Sequence, residues 1–185
     1  MVRKSPFCRS LLLTLVIISW SCLYDPGVVR ANETRWEVGL QGGWSYNDKE
    51  ESFNQADIIL AYRLPLQWQR WDVLNVSTRM TAMAGVLDGG GDTGLLGTLG
   101  LELVIGLGDS PLEVRAGGGA TLMSRYKYGN EDFGGSFQFT SHVGLEYRFL
   151  KSFSAFTRVQ HMSNAGIYSE NPGVNMAMIG LRYAF

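Results

Sequence analysis

The chain has 185 residues, enough for one domain, and a formal net charge of −1. That balance excludes the strongly basic surface on which nucleic-acid binding usually rests. With 23 glycines and 12% aromatic residues, the composition favours an all-β chain with many turns over a helical one.

Residues 1–31 have the layout of an export signal. Arg3, Lys4 and Arg9 give a positive start, and the apolar run from Ser10 to Trp20 spans 11 residues. A membrane-spanning helix needs about 20, so the run suits a signal-peptide core. Val29-Arg30-Ala31 offers a small-x-small cleavage pattern and leaves Asn32 as the first mature residue. Lipoprotein processing at Cys22 is the alternative, and Ser19-Trp20-Ser21 matches it poorly. Both cysteines, Cys8 and Cys22, fall in the leader. Residues 32–185 are then expected to form one exported domain without thiol chemistry. Removing Arg3, Lys4, Arg9, Arg30 and Asp25 leaves 12 basic and 16 acidic residues, a net charge of −4.

From Trp36 the pattern alternates. Trp36, Val38, Leu40, Gly42, Trp44 and Tyr46 share one face, while Glu37, Gln41 and Ser45 share the other. Residues 47–55 read as a polar loop. A second run covers 56–68, with Ile58, Leu60, Tyr62 and Leu64 opposite Ile59, Ala61 and Arg63; Pro65 to Arg70 is expected to turn the chain. A third run covers 71–86 and ends in the loop Leu87–Thr93. The fourth, 94–107, carries leucines on one side and Glu102 on the other. After the turn Gly108-Asp109-Ser110-Pro111, a fifth run covers 112–126 and includes Gly117-Gly118-Gly119, a mark of curvature or close backbone approach. Residues 127–135 read as a polar loop. The sixth run, 136–149, has Phe137, Phe139, Val143, Leu145, Tyr147 and Phe149 on its apolar face, interrupted by Ser141. The last two runs are 153–160 and 176–185.

These eight runs predict an all-β fold, an eight-stranded antiparallel transmembrane β-barrel of the bacterial outer membrane. Loops after the odd-numbered runs read as longer than those after the even-numbered ones, the asymmetry of such barrels. Arg63, Glu102, Arg115, Glu146, Arg148, Arg158 and Arg182 lie on the face opposite the apolar one. Balanced charges suit a narrow polar interior where acids and bases pair. A soluble secreted barrel or sandwich is the competing fold and explains the many aromatic residues less well. Side chains fill an eight-stranded barrel, so function is expected on loops, rim or outer wall.

The chemistry concentrates near the end of the chain, in His161-Met162-Ser163-Asn164-Ala165-Gly166 and Asn171-Pro172-Gly173-Val174-Asn175. Strand parity turns His161, Ser163 and Asn175 outward, near the external end of the last hairpin. A His and a Ser two residues apart on a strand can pair as base and nucleophile for acyl transfer. Asn164 and the backbone N–H of Gly166 stand just beyond as candidate donors to an oxyanion. No metal or other cofactor is expected. His142 lies on the inner face of its own run and reads as a satisfied interior residue.

These two segments resemble the PagL-type lipid A 3-O-deacylases, a family of outer-membrane acyl hydrolases. The likeness is specific over about the last 25 residues and architectural upstream. It implies Ser163 as nucleophile, His161 as base, and Asn164 with Gly166 as oxyanion hole. The family's third member is a Glu that orients the histidine; its place, 14 residues after His161, holds Asn175 here. Asn175 can accept the imidazole N–H, as in Cys-His-Asn proteases, and Glu170 is the alternative acid. The expected partners are the lipid A of lipopolysaccharide as substrate and the outer membrane itself, with no nucleic acid; a homodimer stays open. A non-catalytic structural or adhesive barrel and an outer-membrane phospholipid esterase are the competing functions.

Overall fold

A computed structural model describes residues 35–46, 50–71 and 73–185. The expected export signal, 1–31, lies outside the described residues. In chain order the strands are β1 (Trp36–Ser45), β2 (Phe53–Arg70), β3 (Leu74–Gly89), β4 (Asp92–Leu107), β5 (Leu112–Met123), β6 (Lys127–Tyr128), β7 (Glu131–Asp132), β8 (Phe137–Arg148), β9 (Phe153–Ser163) and β10 (Val174–Ala184). Eight of them close an antiparallel barrel in the order β1-β10-β9-β8-β5-β4-β3-β2, while β6 and β7 make a small hairpin in the loop after β5. The first and last barrel strands seal the wall, with Glu37 opposite Ala184 and Ser45 opposite Met176.

Period-two alternation divides the two faces as a transmembrane barrel requires. Outward positions are large and apolar: Leu40, Leu95 and Leu99 are each 60% exposed or more. At the end where the chain terminates, Phe153, Tyr183 and Phe185 stack into an aromatic band, and Trp36 packs on Tyr62. Such rings favour the membrane–water interface.

The interior is layered. Near the end that holds the termini of β1 and β10, Glu37, Glu102 and Glu146 meet Arg79, Arg115 and Arg182 in one ionic network. Arg115 donates to Glu37, Glu102 and Glu146, each at 2.9 or 3.0 Å. Burying these charges is costly, and the shared hydrogen bonds are what offset that cost. His142 joins through Nε2 to Glu102 at 3.1 Å, while its Nδ1 has no partner. The void among Glu102, Arg115, His142 and Arg182 is about 10 Å³, room for about one water. Between the two ends, Thr98, Thr121 and Thr140 link their hydroxyls, and the buried Asp57 and Arg158 are held by Gln41, Gln55 and Gln160. The opposite mouth is closed by a dry cluster that includes Phe53, Leu87, Tyr128, Phe133, Met162, Met176 and Met178.

Several local expectations are corrected. The chain does not turn at Pro65: β2 runs on to Arg70. Its pairing with β3 shifts register between Arg63 and Gln67, and Pro65, which lacks an N–H, sits in that break in the ladder. The segment 87–93 is not a long loop. Gly89 pairs with Asp92, and Gly90 and Gly91, both at positive φ, form the two-residue turn that suits right-twisted strands. The loop 127–135 is not wholly polar, because Tyr128 and Phe133 are buried in the cluster at the mouth. Arg148 lies at the barrel rim, largely exposed, and donates to Glu113.

Candidate active site

The site is built on the β9–β10 hairpin. Strand β9 continues to Ser163 and β10 begins at Val174, so His161, Ser163 and Asn175 all lie on regular strand. Alternation separates two roles along one segment. Met162, Val174 and Met176 point into the apolar cluster and are 1% exposed or less. Between them, His161 is exposed on the outer wall, with Ser163 and Asn175 half-buried.

Register sets the first contact. Asn175 is directly opposite His161 across β10 and β9, and His161 Nδ1 stands 2.7 Å from Asn175 Oδ1. An amide oxygen only accepts, so Nδ1 carries the proton and Nε2 is left as the basic nitrogen, on the far side of the ring. Glu170, the other candidate, is exposed in the loop; its backbone carbonyl, not its carboxylate, takes part in the site. The backbone N–H of Tyr46 donates to the carbonyl of Asn175 at 3.1 Å, which fixes Asn175 from the β1 side.

Asn164 is fully buried and acts as a clasp. Its Nδ2 donates to the carbonyls of Phe133 at 2.9 Å and Glu170 at 2.6 Å. Its Oδ1 accepts the N–H of Gly166 at 2.9 Å, and its own backbone N–H donates to Asn171 Oδ1 at 3.0 Å. The Asn164 and Gly166 donors are therefore engaged within the loop. Ala165 and Gly166 both take positive φ, a turn that lifts the backbone away from the strand directly after Ser163.

A groove of about 260 Å³ opens beside the imidazole, lined by Tyr46, Ser141, Val143, Val159 and His161 with the backbone of His142 and Gln160. It runs on the outer wall, outside the sealed lumen. Its apolar residues suit an acyl chain and its polar ones gather at the His161 end. Sequence reasoning passed over Tyr46, Ser141 and Asn171 as site residues. Ser141 showed only as a break in an apolar face, and the partner that exposes its place is the cross-strand register Ser141–His161.

The family model described as lipid A 3-O-deacylase (PagL) matches residues 56–184, from within β2 to the end of β10, and takes in every site residue except Tyr46. The chain belongs to the lipid A 3-O-deacylase (PagL) family. Lipid A deacylase PagL of Bordetella bronchiseptica is 36% identical over 72 residues, 39% of this chain and 40% of that protein. The crystal structure of the outer membrane enzyme PagL superposes with a TM-score of 0.72 at 19% identity, covering 80% of this chain and 99% of that one. The N-terminal β-barrel domain of Pseudomonas aeruginosa OprF follows at 0.54 and 14%, covering 83% and 100%. At these identities the two structures speak for the fold. The protein is an eight-stranded β-barrel of the outer membrane, as membership in the PagL family and the PagL-like fold require.

Proposed function

We propose that the protein is a serine esterase that removes an ester-linked acyl chain from lipid A, at the 3-O position that its family's description names. The observation that carries this reading is the His161–Asn175 hydrogen bond on the outer wall, next to Ser163 and at the head of an apolar groove. A base facing the lipid makes sense for a substrate that is itself a lipid. Polar groups on such a surface carry a cost unless they serve a function.

In this mechanism His161 Nε2 takes the proton of Ser163 Oγ as the oxygen attacks the ester carbonyl. Asn175 accepts from Nδ1–H and steadies the imidazolium that forms. The oxyanion draws on backbone N–H groups of the Asn164–Gly166 turn, with the Gly166 N–H exchanging Asn164 Oδ1 for the developing charge. Collapse expels the sugar hydroxyl, which takes its proton from His161, and leaves Ser163 acylated. Water, activated by the same imidazole, then releases the fatty acid and restores the hydroxyl.

The test is mass spectrometry of lipid A from cells expressing the wild type or Ser163→Ala. The expected result is loss of one acyl chain with the wild type and none with the variant. Unchanged lipid A in both would overturn the enzyme reading. Lysophospholipid accumulation with intact lipid A would replace it with a phospholipid esterase.

A further inference from the structure

Two serines neighbour His161 on the outer wall. Ser163 follows two residues along β9. Ser141 lies directly opposite His161 on β8. Opposed residues of an antiparallel pair hold their Cβ atoms about 4.5–5.5 Å apart, whereas the diagonal from Ser141 to Ser163 is about 7–8 Å. Ser141 is exposed on the outer wall and lines the same groove as His161. Its hydroxyl bonds to no other described residue. On its far side it is paired with Gly118, where even a β-carbon would come within 3.0 Å of the Thr140 carbonyl. The wall therefore stays low beside Ser141 and leaves room for a bulky group above it.

The direction of the imidazole decides what that group is. Asn175 holds Nδ1 on the β10 side, so Nε2 is turned away from Asn175, and β8 with Ser141 flanks that side of the ring. In acyl transfer, Nε2–H must reach the oxygen of the departing alcohol. That oxygen thus lies between His161 and Ser141, with the acyl carbon held by Ser163. We propose that Ser141 is a second substrate-contacting hydroxyl, which hydrogen-bonds the leaving oxygen of the ester as its bond to the acyl carbon breaks. This rests on the esterase reading above. The substrate class it favours is an ester of an unactivated alcohol, such as a sugar hydroxyl, whose oxygen needs that help.

The test uses the refolded full-length barrel in detergent micelles and two esters of one fatty acid, a sugar ester and a p-nitrophenyl ester. A hydrogen bond to a developing charge corresponds to a loss of about 10–100-fold when removed. Ser141→Ala is expected to lose that factor in kcat on the sugar ester and less than about threefold on the p-nitrophenyl ester, whose leaving group departs unaided. Heat-modified gel mobility should be unchanged, because Ala suits a lipid-facing wall at least as well as Ser. An equal loss on both esters, or none on either, overturns the proposal. Ser163→Ala separates the two readings: it should abolish turnover of both esters. If Ser163→Ala is active and Ser141→Ala is dead on both, Ser141 is the nucleophile and both readings fall.

Discussion

Gly173 lies against His161: a β-carbon there would stand 3.2 Å from the imidazole Cε1 and 3.6 Å from Ser163 Cβ. The residue also takes φ +60. Its hydrogen is thus what leaves the imidazole its position, and Gly173→Ala should displace the ring. The ring must give by a few tenths of an ångström. A misplacement of about 1 Å can cost roughly 100-fold, so a smaller drop in kcat, about 3–10-fold, is expected. Gly91→Ala provides the comparison. Gly91 has φ +80 but faces open space, so that variant carries the backbone strain alone and should keep its activity. Assays of both variants alongside thermal unfolding separate displacement from strain.

Asn175 meets His161 Nδ1 with a neutral acceptor. Asn175→Leu removes the acceptor from Nδ1 and should lower kcat by about 10³ to 10⁴, the range for a lost or mis-set third member. Asn175→Asp restores a carboxylate opposite His161. Hydrogen bonds to charged groups exceed neutral ones by about 1 kcal/mol, or roughly fivefold in rate, so this variant should be faster than the wild type. Glu170→Ala should change kcat little. Steady-state kinetics on one ester series checks all three, and inactivation by Glu170→Ala alone would transfer the orienting role to the loop.

Glu102 is the keystone of the inner network, bonded to Arg115, Arg182 and His142. Glu102→Ala would leave buried cations without their shared acceptor. Breaking such a pair costs about 3–5 kcal/mol. Urea unfolding of the refolded barrel should show that loss, while Glu102→Gln, which keeps an acceptor, should lose less.

Tyr128 makes stability depend on alkaline pH. It is fully buried at the mouth, and burial pushes its phenol up from 10.0 to about 12. The unfolded chain ionises first. Stability contributed by the neutral phenol is complete below pH 10 and is lost as pH rises toward about 12. Unfolding at pH 8 and pH 11 should show a lower midpoint at the higher pH. Tyr128→Phe should abolish this tyrosine's share of the drop. It should cost little at pH 8, because the hydroxyl has no partner among the described residues.

The barrel was legible because its two surroundings impose opposite demands on alternate residues. Leu95, Leu99 and Leu103 meet lipid while Thr98 and Glu102 meet the lumen, and this contrast is written along each strand. Parity alone also set His161, Ser163 and Asn175 on the outer face. What failed to show was whatever depends on closure. Tyr128 and Phe133 sit in a stretch rich in charge and glycine, and only the closed mouth of the barrel gives their rings a place to be buried. Pro65 and Gly90-Gly91 look alike as chain breakers, yet one falls in a slipped register and the other makes a tight hairpin.

The site was half legible for the same reason. His161 and Asn175 are linked by a spacing that can be counted along one hairpin. Asn164 instead spends its amide on Phe133, 31 residues away, and Ser141 meets His161 only through the β8–β9 register. Phe133 leaves no mark in the local pattern, and Ser141 leaves only a break in an apolar face. The side-chain amide of Asn164, a candidate oxyanion donor by sequence, holds two loop carbonyls together.

The alternation on β9 and β10 also bears on how such an enzyme can change. Met162, Val174 and Met176 anchor the hairpin from within, while His161, Ser163 and Asn175 face outward. Each function owns every second position. Outward residues such as Val143 and Val159 can therefore be exchanged without disturbing the packing that keeps the strands in place. The fold allows its outer surface to drift while its architecture stays fixed.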